Sequence, residues 1–248
     1  MKKIYILLML IIASAVITSC KKEVDAPEAL KESWKTAQNA QVNREIKKLE
    51  EGIKSAKDNS EKSRLYSEKA SIEVDKGDLE SSLKSAKASV SSDPRLADAH
   101  YALGRAYLCD AKFKDALVEL LLAVEYNEKH APAHFELGNL YYKIGKFKEA
   151  IGEYTLAVKY DSKHFMAYNN LGVVYYLANE PLSSVIAFEK VRELNPKYPS
   201  VYKNLGLVNE LKLKRRQTAA QYYRKYLELS PNAPERAAVK MWITALGG

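Results

Sequence analysis

Two cysteines in 248 residues, Cys20 and Cys109, are too few for a disulfide framework, so packing must hold this chain together. Strand signals are missing, because no stretch alternates apolar and polar residues over a strand's length, and the expectation is an all-α fold. Gly/Ser-rich and Pro-rich linkers are missing too, which favours one elongated domain. The spacings that mark reactive loops do not occur: no H-E-x-x-H, no cysteine cluster, no G-x-S-x-G, no G-x4-G-K-S/T and no G-x-G-x-x-G. Adjacent acids such as Glu50 and Glu51 fall on a charged helix face. The expectation is therefore a chain that is not an enzyme and that holds no cofactor and no metal.

A long hydrophobic run is also lacking. Residues 4–17 are largely apolar, but a bilayer-spanning helix needs about 20 residues. With Lys2 and Lys3 before it and small residues leading to Cys20, the stretch is laid out as a signal peptide. An ordinary cleavage site also exists at Ala13-Ser14-Ala15. The excess of 39 Lys and Arg over 31 Asp and Glu falls to 37 over 31 once the leader goes. That surplus reads as a solvated surface that could aid contact with anionic lipid or an acidic partner. Without a basic cluster, and with export expected, nucleic acid is not expected as a partner.

What the chain has is a repeat. Leu-Gly recurs at Leu103-Gly104, Leu137-Gly138, Leu171-Gly172 and Leu205-Gly206, a period of 34 residues. Three before each Leu stands His100, His134, Tyr168 or Tyr202, and three after the Gly, in three copies, Tyr107, Tyr141 or Tyr175. Small residues follow at Ala116, Ala150, Ser184 and Ala219. A helical Gly costs about 1 kcal/mol relative to Ala, so four at one repeat position need an offset. Close approach of a second helix supplies it, with those small residues expected as the opposing surface.

Each unit reads as a helical hairpin. Pro132 sits where a first helix turn tolerates a missing N–H, Gly145 ends that helix, and 147–160 carries Phe147, Ala150, Ile151, Tyr154, Ala157 and Val158 at helical spacing. The register extends back to a weaker copy from Ser63, with Tyr66 at the aromatic position, Lys69-Ala70 in place of Leu-Gly, and Gly77 aligned with Gly145. The last copy closes one residue late, which places an insertion within 211–217. Five units result, at 63–96, 97–130, 131–164, 165–198 and 199–233. After them, 234–248 reads as a capping helix with Ala238, Val239, Met241, Trp242 and Ala245 on its apolar face. Before them, 29–62 reads as two amphipathic helices, 29–37 with Trp34 and 42–56, which could form a sixth divergent unit.

The histidines follow the repeat. His100 and His134 occupy the aromatic packing position, His130 and His164 the junctions, and a helix opening at Ala131 leaves His130 outside it, which argues against a metal pair. Cys109, near the end of a first helix, is expected to be a partly buried structural thiol.

The pattern resembles the tetratricopeptide repeat, whose aromatic-x2-L-G-x2-Y…A-x3-F…P signature has this period, and the copy from Tyr168 to Pro196 matches nearly throughout. The resemblance implies a right-handed superhelical solenoid of antiparallel helix pairs, with first helices lining a concave groove that receives a protein or peptide segment. Carried onto this chain, the groove positions are Tyr101, Phe135, Asn169 and Lys203; Arg105, Asn139, Val173 and Leu207; and Leu108, Tyr142, Tyr176 and Glu210. Asn170 and Asn204 stand where some relatives form an amide ladder along a bound backbone. The expected protein-binding set is Tyr101, Arg105, Phe135, Asn139, Tyr142, Asn169, Asn170, Tyr176, Lys203 and Asn204. The paired tyrosines equally suit scaffold packing. Phe135, Ser200 and Asn204 stand where the family's carboxylate clamp needs bases, so that clamp is not expected.

Around Cys20, Ile17-Thr18-Ser19-Cys20 resembles the lipobox of bacterial lipoproteins, which implies a signal peptide at 1–19, an acylated Cys20 and a tether at 20–28. Two or three acyl chains would anchor durably where one would not. Lys21, in place of a retention-signal Asp, implies the outer membrane, with the periplasm-facing side preferred to the cell surface. The function expected is a membrane-anchored adaptor in cell-envelope assembly. Alternatives are a surface lipoprotein that binds host or environmental ligands and an accessory subunit of an envelope transporter or enzyme.

Overall fold

The computed structural model describes residues 28–247, and within them every regular element is a helix. The leader, Cys20 and most of the tether lie outside the described residues. The first helix, α1, runs without a break over Glu28–Ser55. This corrects the expectation of two helices, since 38–41 (Gln-Asn-Ala-Gln) holds neither Gly nor Pro and nothing there interrupts the backbone ladder. The side chain of Trp34 falls outside what is described. No helix among the described residues is long and apolar enough to cross a membrane.

Five hairpins follow. They pair α2 (Asn59–Lys76) with α3 (Leu79–Ser92), α4 (Ala97–Cys109) with α5 (Phe113–Tyr126), α6 (Ala131–Lys143) with α7 (Phe147–Tyr160), α8 (Phe165–Leu177) with α9 (Pro181–Leu194), and α10 (Pro199–Leu207) with α11 (Arg216–Leu229). A last helix, α12, spans Arg236–Ala245. Helix α2 starts four residues before Ser63 because the Asp58 carboxylate accepts the Glu61 N–H at 2.7 Å and caps it there. The chain divides into two compact units, one ending at Leu137 and the other beginning at Gly138.

Every hairpin turn uses one left-handed residue: Gly77, Ala111, Gly145, Asn179 and Lys214, with φ between 55° and 83°. In the first four turns the next N–H reaches back five residues, as Lys146 N does to Tyr141 O at 2.9 Å, which closes the helix in a Schellman manner. The fifth turn reaches back six, from Arg215 N to Asn209 O at 2.8 Å. The extra residue widens the helix into a π turn, Val208–Lys212. The insertion thus begins before the 211–217 window, because one wide helical turn absorbs it without unravelling the loop.

Each repeat glycine lets a large side chain lie flat on the first helix. A Cβ on Gly138 would stand 2.6 Å from the Tyr154 ring, on Gly172 2.7 Å from Phe188, on Gly206 2.4 Å from Tyr223, and on Gly104 2.8 Å from Leu120. The close approach is as expected, but the opposing group is the large residue four positions after each small one. Ala116, Ala150, Ser184 and Ala219 are fully buried beside it, and Ser184 Oγ donates to Gly172 O at 2.7 Å. The first hairpin packs differently. Ala70 replaces the glycine, and two buried serines lock α2 to α3, Ser63 Oγ donating to Ser89 O at 2.9 Å and Ser89 Oγ to Ser63 O at 2.7 Å.

At the other end, Val239 of α12 is fully buried and Trp242 packs on Tyr223 with ring centres 5.5 Å apart. Met241, expected on that covering face, is 72% exposed, because the buried face of α12 is centred on Val239 and Met241 lies two residues away.

Candidate functional site

The aromatic position of the repeat turns out to need a polar tip. His100 Nε2 donates to Pro94 O at 2.9 Å, His134 Nε2 to Glu128 O at 2.8 Å, and Tyr202 Oη to Pro196 O at 2.8 Å, each reaching six residues back to tie down the turn before its helix. His100 also meets the Glu119 carboxylate through Nδ1 at 2.7 Å. Both of its neighbours are acceptors, which favours the doubly protonated ring, and the carboxylate bond raises its pKa despite burial. His130 and His164 cap the following helices, accepting the N–H of Ala133 and Ala167 through Nδ1 at 3.0 and 3.1 Å. His130 then has its proton on Nε2, which donates to Asp98 at 2.9 Å. Among the described residues no three His, Cys, Asp or Glu side chains converge as metal ligands. Cys109 is exposed, not partly buried, because the last residue of α4 points outward at the turn.

The asparagine amides bond to one another between helices. Asn170 Nδ2 donates to Asn139 Oδ1 at 2.9 Å, Asn169 Nδ2 to Asn170 Oδ1 at 3.2 Å, and Asn204 Nδ2 to Asn169 Oδ1 at 3.3 Å. Tyr154 Oη closes the chain onto Asn139 Oδ1 at 2.7 Å. These bonds link α6, α8 and α10 side by side within the second unit. Asn169, Asn170 and Asn204 are buried there, so the structure corrects their placement on an open groove wall: a buried amide must find partners, and neighbouring first helices provide them. Lys203 is buried as well and ion-pairs with Glu235 at 2.8 Å across the Tyr226 ring. Burial alone would raise the Glu235 carboxyl, but the bonds from Lys203 and Tyr226 outweigh it and lower its pKa.

The remaining predicted residues are part-buried and fall into two sets. In the first unit, Tyr101 stacks on His130 with ring centres 4.9 Å apart, and Arg105 lies over the Tyr101 ring while pairing with Asp75 at 2.7 Å. Burial pushes the Tyr101 hydroxyl up to about 12. Phe135 is part-buried on α6 of the same unit. In the second unit, Tyr142 packs beside Phe147, and Tyr176 carries the Lys212 ammonium over its ring at 5.0 Å. Tyr176 borders an apolar cleft with Val173, Phe188, Asn204, Leu207 and Val208.

Sequence reasoning did not assign Leu120, Tyr154, Phe188 and Tyr223 as the groups over the glycines, although the A-x3-F part of the signature points to them. It also missed their pairing. Tyr154 bonds Asn139 and Tyr223 bonds Glu210 at 2.7 Å each, whereas Phe188, without a hydroxyl, shares its cleft with Val173.

This geometry agrees with the comparisons. A tetratricopeptide repeat model matches residues 68–134 and 183–234, and a second TPR repeat model matches 138–178. Among solved structures, MamA is 25% identical with a TM-score of 0.60, covering 71% of this chain and 94% of that one. YrrB, described as a TPR protein with an unusual peptide-binding site, is 19% identical with a TM-score of 0.63, covering 78% and 97%. PilF of Pseudomonas aeruginosa is 21% identical, also at 0.63, covering 76% and 90%. No curated protein matches the chain. The 34-residue hairpins, the glycine seats and the two matching models lead to one conclusion: the chain belongs to the tetratricopeptide repeat family.

Proposed function

We propose that this chain is an adaptor of the cell envelope whose first-helix faces bind a segment of another protein. The carrying observation is the arrangement around Tyr142 and Tyr176. The buried amide ladder fixes the helices beneath, both part-exposed rings pack on the same apolar cluster, and Tyr176 borders the narrow cleft of Val173, Leu207 and Val208. A rigid bed under aromatic side chains suits protein recognition, since ring burial gives much contact area at little entropy cost. That YrrB is described as having a peptide-binding site supports a peptide-like occupant. In the first unit Tyr101, Arg105 and Phe135 offer a second such face.

Anchorage belongs to the same proposal. The leader and the lipobox-like Ile17-Thr18-Ser19-Cys20 would place an acylated Cys20 in the outer membrane, periplasm-facing, with the repeats tethered to it. Intact mass of the mature chain tests this, and a mature N-terminus elsewhere than Cys20 would reject it. Capture of partners from detergent-solubilised envelopes tests the binding faces. The Tyr142→Ala/Tyr176→Ala and Tyr101→Ala/Phe135→Ala variants should each recover less partner than the wild type while melting cooperatively. Full recovery by both would reject these faces.

A further inference from the structure

The charge of the chain is concentrated in one unit. Residues 138–248 hold 17 Lys and Arg against 9 Asp and Glu, a surplus of eight, whereas residues 18–137 hold 20 against 22, a deficit of two. Within the second unit, many of these bases occupy two hairpin turns: Lys146 and Lys148 in one, Lys212, Lys214, Arg215 and Arg216 in the other. All except Lys212 are exposed. Lys212 reaches across to Asn179 Oδ1 at 2.9 Å, which sets the α8–α9 and α10–α11 turns side by side. The amide ladder keeps α6, α8 and α10 parallel, so the α6–α7 turn ends at the same edge. The acids there are fewer than the bases and partly engaged: Glu149 lies 3.7 Å from Lys146, exposed Glu180 accepts the Ser183 hydroxyl at 3.3 Å, and Glu210 accepts the Tyr223 hydroxyl.

An apolar side chain stands among these bases. Ile144, at the tip of the α6–α7 turn beside left-handed Gly145, is 50% exposed. A row of turn tips offers no groove to enclose a peptide. The rings beside it are engaged: Phe147 packs against Tyr142, and Tyr141 and Tyr176 lie under the Lys146 and Lys212 ammonium groups. An apolar tip flanked by lysines and arginines fits a surface that is anionic outside and hydrocarbon just below.

We propose that this turn edge of the second unit docks on a bilayer carrying anionic phospholipid headgroups. The ammonium and guanidinium groups meet phosphates, and Ile144 enters the headgroup boundary. The contact needs neither acylation of Cys20 nor occupancy of the first-helix faces, so it stands or falls separately from the adaptor reading.

The test uses the full-length chain with vesicles of phosphatidylcholine alone or containing phosphatidylglycerol, read by co-sedimentation. The wild type should partition more strongly onto the anionic vesicles, and added salt should weaken it. A Lys146→Gln/Lys148→Gln/Lys214→Gln/Arg215→Gln variant should lose at least about tenfold of that partitioning. A control of equal charge change away from the edge, Lys159→Gln/Lys163→Gln/Lys197→Gln/Lys240→Gln, should lose at most about twofold, since the cationic contribution acts only near the surface. The N-terminal segment is common to all three chains. A bimane fluorophore on Ile144→Cys, with Cys20→Ser and Cys109→Ser, should shift to the blue on anionic vesicles only. Equal losses in the two quadruple variants, or no spectral shift, would overturn the proposal. Binding to soluble polyglutamate without vesicle partitioning would overturn it in favour of an acidic polypeptide.

Discussion

The two units solve one packing problem with different side chains. In the unit before Gly138, the groups that meet the repeat position are not rings: Ala70 replaces glycine beside a serine lock, and Gly104 faces the branched, fully buried Leu120. In the unit from Gly138 on, three glycines lie under three rings, Tyr154, Phe188 and Tyr223, each almost wholly buried. The first arrangement rests on hydrogen-bonded hydroxyls and tolerates adjustment. The second rests on flat ring-to-backbone contact, which has no slack because a ring cannot turn aside as a leucine can. One period therefore specifies where helices approach, but not how rigidly they are held.

The comparison is broken most forcefully at the glycines. Gly206→Leu, under the Tyr223 ring, should cost about 3 kcal/mol in urea denaturation, the upper range for overpacking, with Gly138→Leu close behind. Gly104→Ala should cost less than about 1 kcal/mol, because Leu120 can shift and alanine regains helix propensity. Lys146→Leu, on the exposed turn, should change stability by less than about 0.5 kcal/mol. Equal losses at 104 and 206 would erase the distinction between the units.

Hydroxyl removal gives an effect of about 1 kcal/mol. Tyr154→Phe keeps the ring on Gly138 but withdraws the bond to Asn139, at a cost of about 1 kcal/mol by chemical denaturation. Phe188→Tyr should not gain the same amount, since Val173 stands one repeat after Asn139 and has no acceptor to replace its amide oxygen.

A pH effect of similar size belongs to the first unit. The His100 pKa is raised in the folded state, so the His100–Glu119 contribution is fully present below the unfolded value near 6.5. It fades as pH rises through the folded value. Denaturation midpoints of the wild type, compared with His100→Gln, should show an extra loss of about 1 kcal/mol between acid and alkaline sides of that range. The equivalent Tyr202 in the second unit makes its bond to Pro196 through a hydroxyl.

In the turns the effects differ in sign. Lys214→Gly should stabilise by about 0.5–1 kcal/mol, since a left-handed lysine costs about 1–2 kcal/mol and glycine returns some of that in entropy. Gly145→Ala at the corresponding turn should lose about 1 kcal/mol. Thermal melts of the two variants should move in opposite directions.

Much of the fold is legible in local residue types. Gly77 and Gly145 end helices where the register places them, because a left-handed residue closes a helix and glycine enters that region freely. Ala111 and Lys214 carry no such mark, yet the same turn forces them into it. Helix α1 continues through 38–41, between its two apolar stretches, because a lapse in patterning does not break a backbone ladder that holds neither Gly nor Pro. The binding set was least legible. Asn169, Asn170, Asn204 and Lys203 occupy groove positions by number, yet they are closed over by the neighbouring helices and by Glu235.

The 34-residue period, the helical hairpin, the helix ends at Gly77 and Gly145 and the need for a close approach at Leu-Gly were decided by the sequence, because each depends on residue types read along the chain itself. The tertiary structure alone decided which side chain covers each glycine, that the asparagines bond to one another inside the stack, that an extra residue becomes a π turn, and that distant basic turns share one edge. Those outcomes depend on which helices become neighbours, and burial converts that arrangement into hydrogen bonds, ring contacts and local charge.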